Sequence, residues 1–220
     1  MMPALPTIVP ILATPLGIAS IPAHESLNIT LAELFARRMA ADSRSQRNPL
    51  RVSSADDLLD WPEAAVREFA NGLVGAVYSV VGTLNELTQA QLRALKMEAR
   101  AWFTIVRQNG SVPAANYPLT AWCAIYCVAA PSSSDARPDS GVVRLYESRL
   151  GTMFQDASNA SMLIPYKHSH YAWRPEAGKL IIFPASLTHE VALLRSQGDL
   201  TLITARIRFI GADQKGFGRW

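Results

Sequence analysis

Apolar positions along this chain recur at helical spacing through the first hundred residues and fall into short strand-like runs afterwards. Ser26 or Asn28 can cap a first helix whose apolar stripe is Leu31, Leu34, Phe35 and Met39, and the polar stretch "ADSRSQRNP" ends it. A longer helix follows "SSADDLLDWPE". Pro62 suits its first turn, and Val66, Phe69, Leu73, Val77, Val80, Val81 and Leu84 form one face. Thr88 and Gln91 make a capping-box pattern that predicts a third helix reaching about Ala99.

Beyond Arg100 the segments shorten and fill with β-branched and aromatic residues: "AWFTIVRQN", "TAWCAIYCV", "GVVRLYES", "SMLIPY", "HYAWRP", "GKLIIFP", "HEVALL" and "LTLITARIRFI". Gly, Pro, Ser and Asp clusters separate them, as in a sandwich or barrel. The expected organisation is one α+β domain over residues 1–220. Its mainly helical part is 1–99, its β core 100–210 and its tail 211–220.

Composition narrows the function classes. With 49% apolar and 18% charged residues in 220, the chain reads as a soluble globular protein able to bury a core without a structural metal. A net charge of +3 spread over scattered Lys and Arg, with no basic run interleaved with aromatics, argues against a nucleic-acid surface. Cys123 and Cys127, four apart on a predicted strand, stand roughly 13 Å apart, too far for a disulfide. Two buried thiols suit a reducing compartment. The apolar start lacks a basic n-region and is broken by prolines, so neither a signal peptide nor a membrane span is expected. The cytoplasm is the expected location.

The segment "EAGKLIIFPASLTHEV", residues 176–191, resembles the 2-oxoglutarate and Fe(II)-dependent oxygenases with a double-stranded β-helix core. In those proteins an apolar strand ending in Phe-Pro is followed by a short turn that reaches a histidine and then Glu-Val. Upstream, "AWFTIVRQNG", "YPLTAWCAIYCV" and "VRLYESR" are similar to the family's core strands in the same order. The resemblance implies a jelly-roll, cupin-like barrel with N-terminal helices packed against it, and Fe(II) and 2-oxoglutarate as cofactors. Iron would be held on one face by histidines and a carboxylate, leaving positions for the keto acid and oxygen.

Carried over residue by residue, the family's first ligand pair falls on Ala115 and Tyr117, and its distal histidine on His189. Alanine binds no metal, and tyrosine suits ferric more than ferrous iron. The arginine that holds the far carboxylate of 2-oxoglutarate maps to Leu200. On a strand Leu200, Leu202, Thr204, Arg206 and Arg208 share a face, so Arg206 or Arg208 is a substitute carboxylate anchor. An ion pair at the barrel rim is the alternative role for Arg206. His168 and His170 share a strand face and could chelate, although a surface role is favoured. A rebuilt metal site would draw on His189 with Glu147 or His170, and the candidate catalytic set is Tyr117, Glu147 and His189.

Three functions compete. One is a divergent barrel that has lost the two-histidine-carboxylate triad and binds a small molecule or catalyses without the standard iron centre. Another is a working oxygenase with a rebuilt site around His189. The third is an accessory protein that pairs with an intact enzyme or with a second copy of itself. Ser186 and Thr188 beside His189 lack a recognisable acid for hydrolysis, and neither a Gly-rich phosphate loop nor a cysteine zinc pattern is present.

Overall fold

A computed structural model describes residues 13–41, 49–85, 87–131, 137–146, 162 and 170–210. Ten strands and three helices are defined among them: β1 (Gly17–Ser20), α1 (His24–Ala41), β2 (Arg51–Ser53), α2 (Ala64–Asn85), α3 (Gln89–Ala94), β3 (Lys96–Val106), β4 (Val112–Ala115), β5 (Trp122–Ala129), β6 (Val143–Tyr146), β7 (His170–Trp173), β8 (Lys179–Pro184), β9 (His189–Val191) and β10 (Leu200–Ile210). The class is α+β, as expected.

The strands form two sheets in which every ladder is antiparallel. A six-stranded sheet runs β1-β8-β5-β10-β3-β2 and a four-stranded sheet runs β4-β9-β6-β7. Chain order crosses repeatedly between them, from β5 to β6 and back from β7 to β8, then again from β9 to β10. That alternation winds a double-stranded β-helix, and its interior lies between the two sheets.

Strand alternation sorts the core into two clusters on opposite sides of the six-stranded sheet. Ala124, Tyr126 and Val128 of β5, Leu180 and Ile182 of β8, and Ile203, Ala205 and Ile207 of β10 face α1 and α2. The intervening Cys123, Ile125, Cys127, Ile181, Phe183, Leu200 and Leu202 face the barrel interior. From the helical side Leu27, Leu31, Leu34 and Phe35 of α1 are buried, with Val66, Phe69, Leu73, Val77 and Val81 of α2. Phe35 stacks on Phe103 with ring centroids 4.2 Å apart. A glycine permits the close approach of α2 to β1: a Cβ at Gly17 would stand 2.6 Å from Val80 Cγ2.

Three expectations are corrected. The first helix starts at His24 rather than at a Ser26 or Asn28 cap, and Asn28 instead turns into the core, where its Oδ1 accepts a 2.7 Å hydrogen bond from the Tyr126 hydroxyl. The third helix carries the predicted capping box but stops at Ala94. Residues 96–99, assigned to that helix, extend β3 because the long β10 offers them a pairing edge down to Ile210, and Arg208 meets Glu98 directly across the ladder. The 1–99 region also contributes β1 and β2 to the edges of the large sheet. The strand expected at "SMLIPY" and the 211–220 tail lie outside the described residues.

Candidate functional site at the barrel mouth

The register between β4, β9 and β6 builds one end of the barrel. Ala115 stands opposite His189, which stands opposite Leu145 on its other side. Two residues further on, the Tyr117 amide donates to the Ala185 carbonyl at 2.7 Å, tying the chain after β4 to the turn after β8. The positions that the resemblance assigns to three metal ligands therefore meet at one place. They bring together an alanine, a phenol and one imidazole.

His189 is 7% exposed and points inward with Val191. Its Nδ1 lies 3.1 Å from the Leu187 carbonyl. Since a carbonyl only accepts, Nδ1 carries the proton and Nε2 keeps its lone pair. Burial pushes the His189 pKa below the usual histidine value, against the opposing pull of the Leu187 bond, so the ring is neutral at pH 7. Phe183 and Tyr117 flank it edge-on, with ring centroids 5.1 Å and 5.4 Å away.

Tyr117 is half-buried, and burial pushes its hydroxyl up to about 12, with Cys123 adding to the shift and Arg206 opposing it. Burial likewise raises the Cys123 thiol. Neither group is an anion at neutral pH. Arg206 pairs with Cys123 in the β10–β5 ladder and so shares the barrel face with Leu200 and Leu202, as alternation predicted. Its guanidinium lies 5.7 Å from the Tyr117 ring centre and 5.6 Å from that of Trp102, while Nη2 donates to Asp56 at 2.7 Å.

The sequence-predicted residues thus divide. Tyr117, His189 and Arg206 converge. Arg208 does not join them, because its guanidinium is engaged with Glu98 at 2.6 Å. His170 pairs in register with Tyr146, whose hydroxyl donates to Glu190 on the outer face of the four-stranded sheet; the His170 and Tyr146 ring centroids are 5.8 Å apart. His189 points to the inner face of that sheet, so it and His170 lie on opposite faces. Glu147, Arg149 and His168 lie outside the described residues. Among the described residues, no three His, Cys, Asp or Glu side chains gather as a metal-binding group.

Trp102 and Asp56 were not anticipated. Alternation in "AWFTIV" could have found Trp102, since Val106 marks the barrel face of β3 and Trp102 lies two pairs before it. Nothing local flags Asp56, which reaches Arg206 across 150 residues of sequence.

Residues 100–202 match the family described as "Putative 2OG-Fe(II) oxygenase". Among curated proteins no sequence matches the chain. A prolyl-4-hydroxylase of Pseudomonas putida shares the fold at TM-score 0.56 and 14% identity, over 88% of this chain and 91% of that one. HygX of Streptomyces hygroscopicus, solved with nickel and 2-oxoglutarate bound, is similar at TM-score 0.56 and 10% identity, over 89% and 83%. The prolyl hydroxylase of Trichoplax adhaerens, in complex with a hypoxia-inducible-factor peptide, follows at 0.55 and 10%, over 88% and 83%. At these identities the structures establish the fold alone: the chain has the double-stranded β-helix fold of these oxygenases, and its residues 100–202 resemble the 2-oxoglutarate and Fe(II)-dependent oxygenase family in sequence.

Proposed function

We propose that this barrel binds a small organic molecule at its mouth and has given up iron and 2-oxoglutarate chemistry. The observation that carries the reading is Tyr117, a neutral phenol on a mapped ligand position, packed 5.4 Å from the one remaining histidine. Fe(II) in this family needs three donors on one face, and the described residues at the mapped positions supply only His189 Nε2. The keto acid fares no better. Its far carboxylate would meet Leu200, which is 1% exposed and packed with Leu202, Leu194 and Val106. A carboxylate buried there without a cation would cost several kcal/mol.

What the mouth offers instead is an aromatic wall of Trp102 and Tyr117, a hydrogen-bond acceptor at His189 Nε2, and the Arg206 guanidinium. Such a surface suits a planar ligand with a donor group. Both cysteines are free and buried, which supports a reducing compartment such as the cytoplasm. No described helix is long and apolar enough to cross a membrane.

Anaerobic titration with Fe(II) and 2-oxoglutarate tests the proposal. The expected result is no stoichiometric metal and no succinate; one equivalent of iron with succinate formation overturns it. Its complement is the double variant Ala115→His with Tyr117→Asp. Restoring two donors beside His189 should bring tetragonal or octahedral Co(II) binding at least about tenfold tighter than in the parent, lost again when His189→Ala is added.

A further inference from the structure

About six residues along β10 from Arg206, roughly 20 Å away, the opposite end of the barrel opens into a second cleft. Its volume is about 390 Å³, and its floor is apolar, made by Ala130, Leu194 and Leu200. That size lies within the range of small-molecule sites. Polar groups ring it: Ser140, Ser196, Arg174 and Glu176.

The hydroxyls have a defined direction. Ser140 Oγ accepts from the amides of Arg195 at 2.9 Å and Ser196 at 3.3 Å, which occupies both of its lone pairs. Its own proton must therefore go to Ser196 Oγ, 3.0 Å away. Ser196 accepts that bond and keeps an O–H to donate, on a residue that is 9% exposed and lines the cleft.

The charges are equally constrained. Arg174 is anchored through Nη2 to the Pro138 carbonyl at 2.6 Å and through Nη1 to the Ser140 carbonyl at 3.5 Å, which leaves further N–H donors on a guanidinium held in place. Glu176, two residues on, presents a carboxylate to the same cleft, and the described residues include no ion pair between the two. An anchored cation and an exposed acidic residue thus line one cleft over an apolar floor. Glu176 also opposes ionisation of the Cys127 thiol, which burial first and this carboxylate second push up to about 12.

We infer that this cleft binds a small zwitterion, a free α-amino acid with an aliphatic side chain. The ligand carboxylate would take the Arg174 guanidinium and the Ser196 hydroxyl, its ammonium Glu176, and its side chain the Leu194 and Leu200 floor. This inference is independent of what the mouth binds.

Isothermal titration of the full chain with leucine, valine and alanine tests it, against the deaminated acid and the decarboxylated amine of each. Leucine should bind with a sub-millimolar Kd and each half-analogue at least about tenfold more weakly. Glu176→Gln, at an exposed position, should cost leucine at least about tenfold and leave the deaminated acid unchanged. Arg174→Gln should abolish both; because Arg174 also holds two loop carbonyls, Ala177→Trp, which blocks the cleft from an exposed position, gives the same readout without removing those bonds. No heat with any amino acid overturns the inference, as does leucine binding that survives both Glu176→Gln and Ala177→Trp.

Discussion

The two sides of the six-stranded sheet teach different things about this protein. On the helical side, Phe35, Phe69, Phe103 and Tyr126 interleave with aliphatics, and one hydrogen bond, Tyr126 to Asn28, is buried among them. On the barrel side, Cys123, Ile125, Cys127, Leu200 and Leu202 form an apolar cluster, with Arg206 at the mouth on the same face. The helical side is an ordinary structural core. On the reading proposed above, the inner strands serve packing rather than anchoring a dicarboxylate.

The sharpest way to break that comparison is truncation on each side. Phe35→Ala removes the ring stacked on Phe103 and should cost about 3–5 kcal/mol. Leu202→Ala, 2% exposed on the barrel side, should cost about 2–5 kcal/mol by urea denaturation. Were the interior an open ligand cavity, Leu202→Ala would cost less than about 1 kcal/mol, and the equivalence of the two sides would fail.

Next in size is the hydrogen bond that distinguishes the helical side. Tyr126→Phe keeps the ring against Phe69 but strips Asn28 Oδ1 of its donor inside the core. The expected loss is about 1–2 kcal/mol, because an unmade buried bond costs more than the net gain of making it. Adding Asn28→Leu should recover part of this loss. If Tyr126→Phe proves neutral, the bond adds nothing to the packing around it.

How far these two sides could be read in advance follows from burial. "TAWCAIYCVAA" is apolar at nearly every position because β5 is covered on both faces, so its composition marks a strand while hiding which residue faces which side. β10 kept a partial period through Thr204, Arg206 and Arg208, and the inward direction of Arg206 was legible from it. The Phe-Pro strand and its histidine turn located His189 for the same local reason. Contacts between distant segments left no local trace. The Asp56 partner of Arg206 and the extension of β3 at the expense of α3 depend on pairing across more than a hundred residues.

His189 supplies a pH-dependent contrast between mouth and core. Its folded pKa is depressed, so below the unfolded value of about 6.5 the unfolded chain takes up the proton more readily. The stability it contributes is complete above that value and is lost as pH falls toward the folded pKa. Thermal melts between pH 7.5 and 5 should decline by up to about 1.4 kcal/mol per pH unit from this group, the limit for one proton. In His189→Phe that component should vanish; an unchanged slope would assign the dependence to other groups.

The smallest expected effect is at Arg206, where the inner face meets solvent. Its pairing with Asp56 joins side chains that are 25% and 50% exposed, so screening limits it to about 0–1 kcal/mol, and the contacts with Trp102 and Tyr117 add about 0.5–1 kcal/mol. Arg206→Met keeps most of the aliphatic stem and removes the charge. It should cost about 1 kcal/mol, and only the ion-pair part should shrink in high salt. The same variant speaks to function. If the guanidinium serves only the rim, ligand binding at the mouth will survive Arg206→Met; if it contacts the ligand, affinity should fall at least about tenfold while stability moves by the same small amount. Because the two outcomes differ in binding but not in folding, this modest substitution separates a structural arginine from a recognising one more cleanly than any core truncation does.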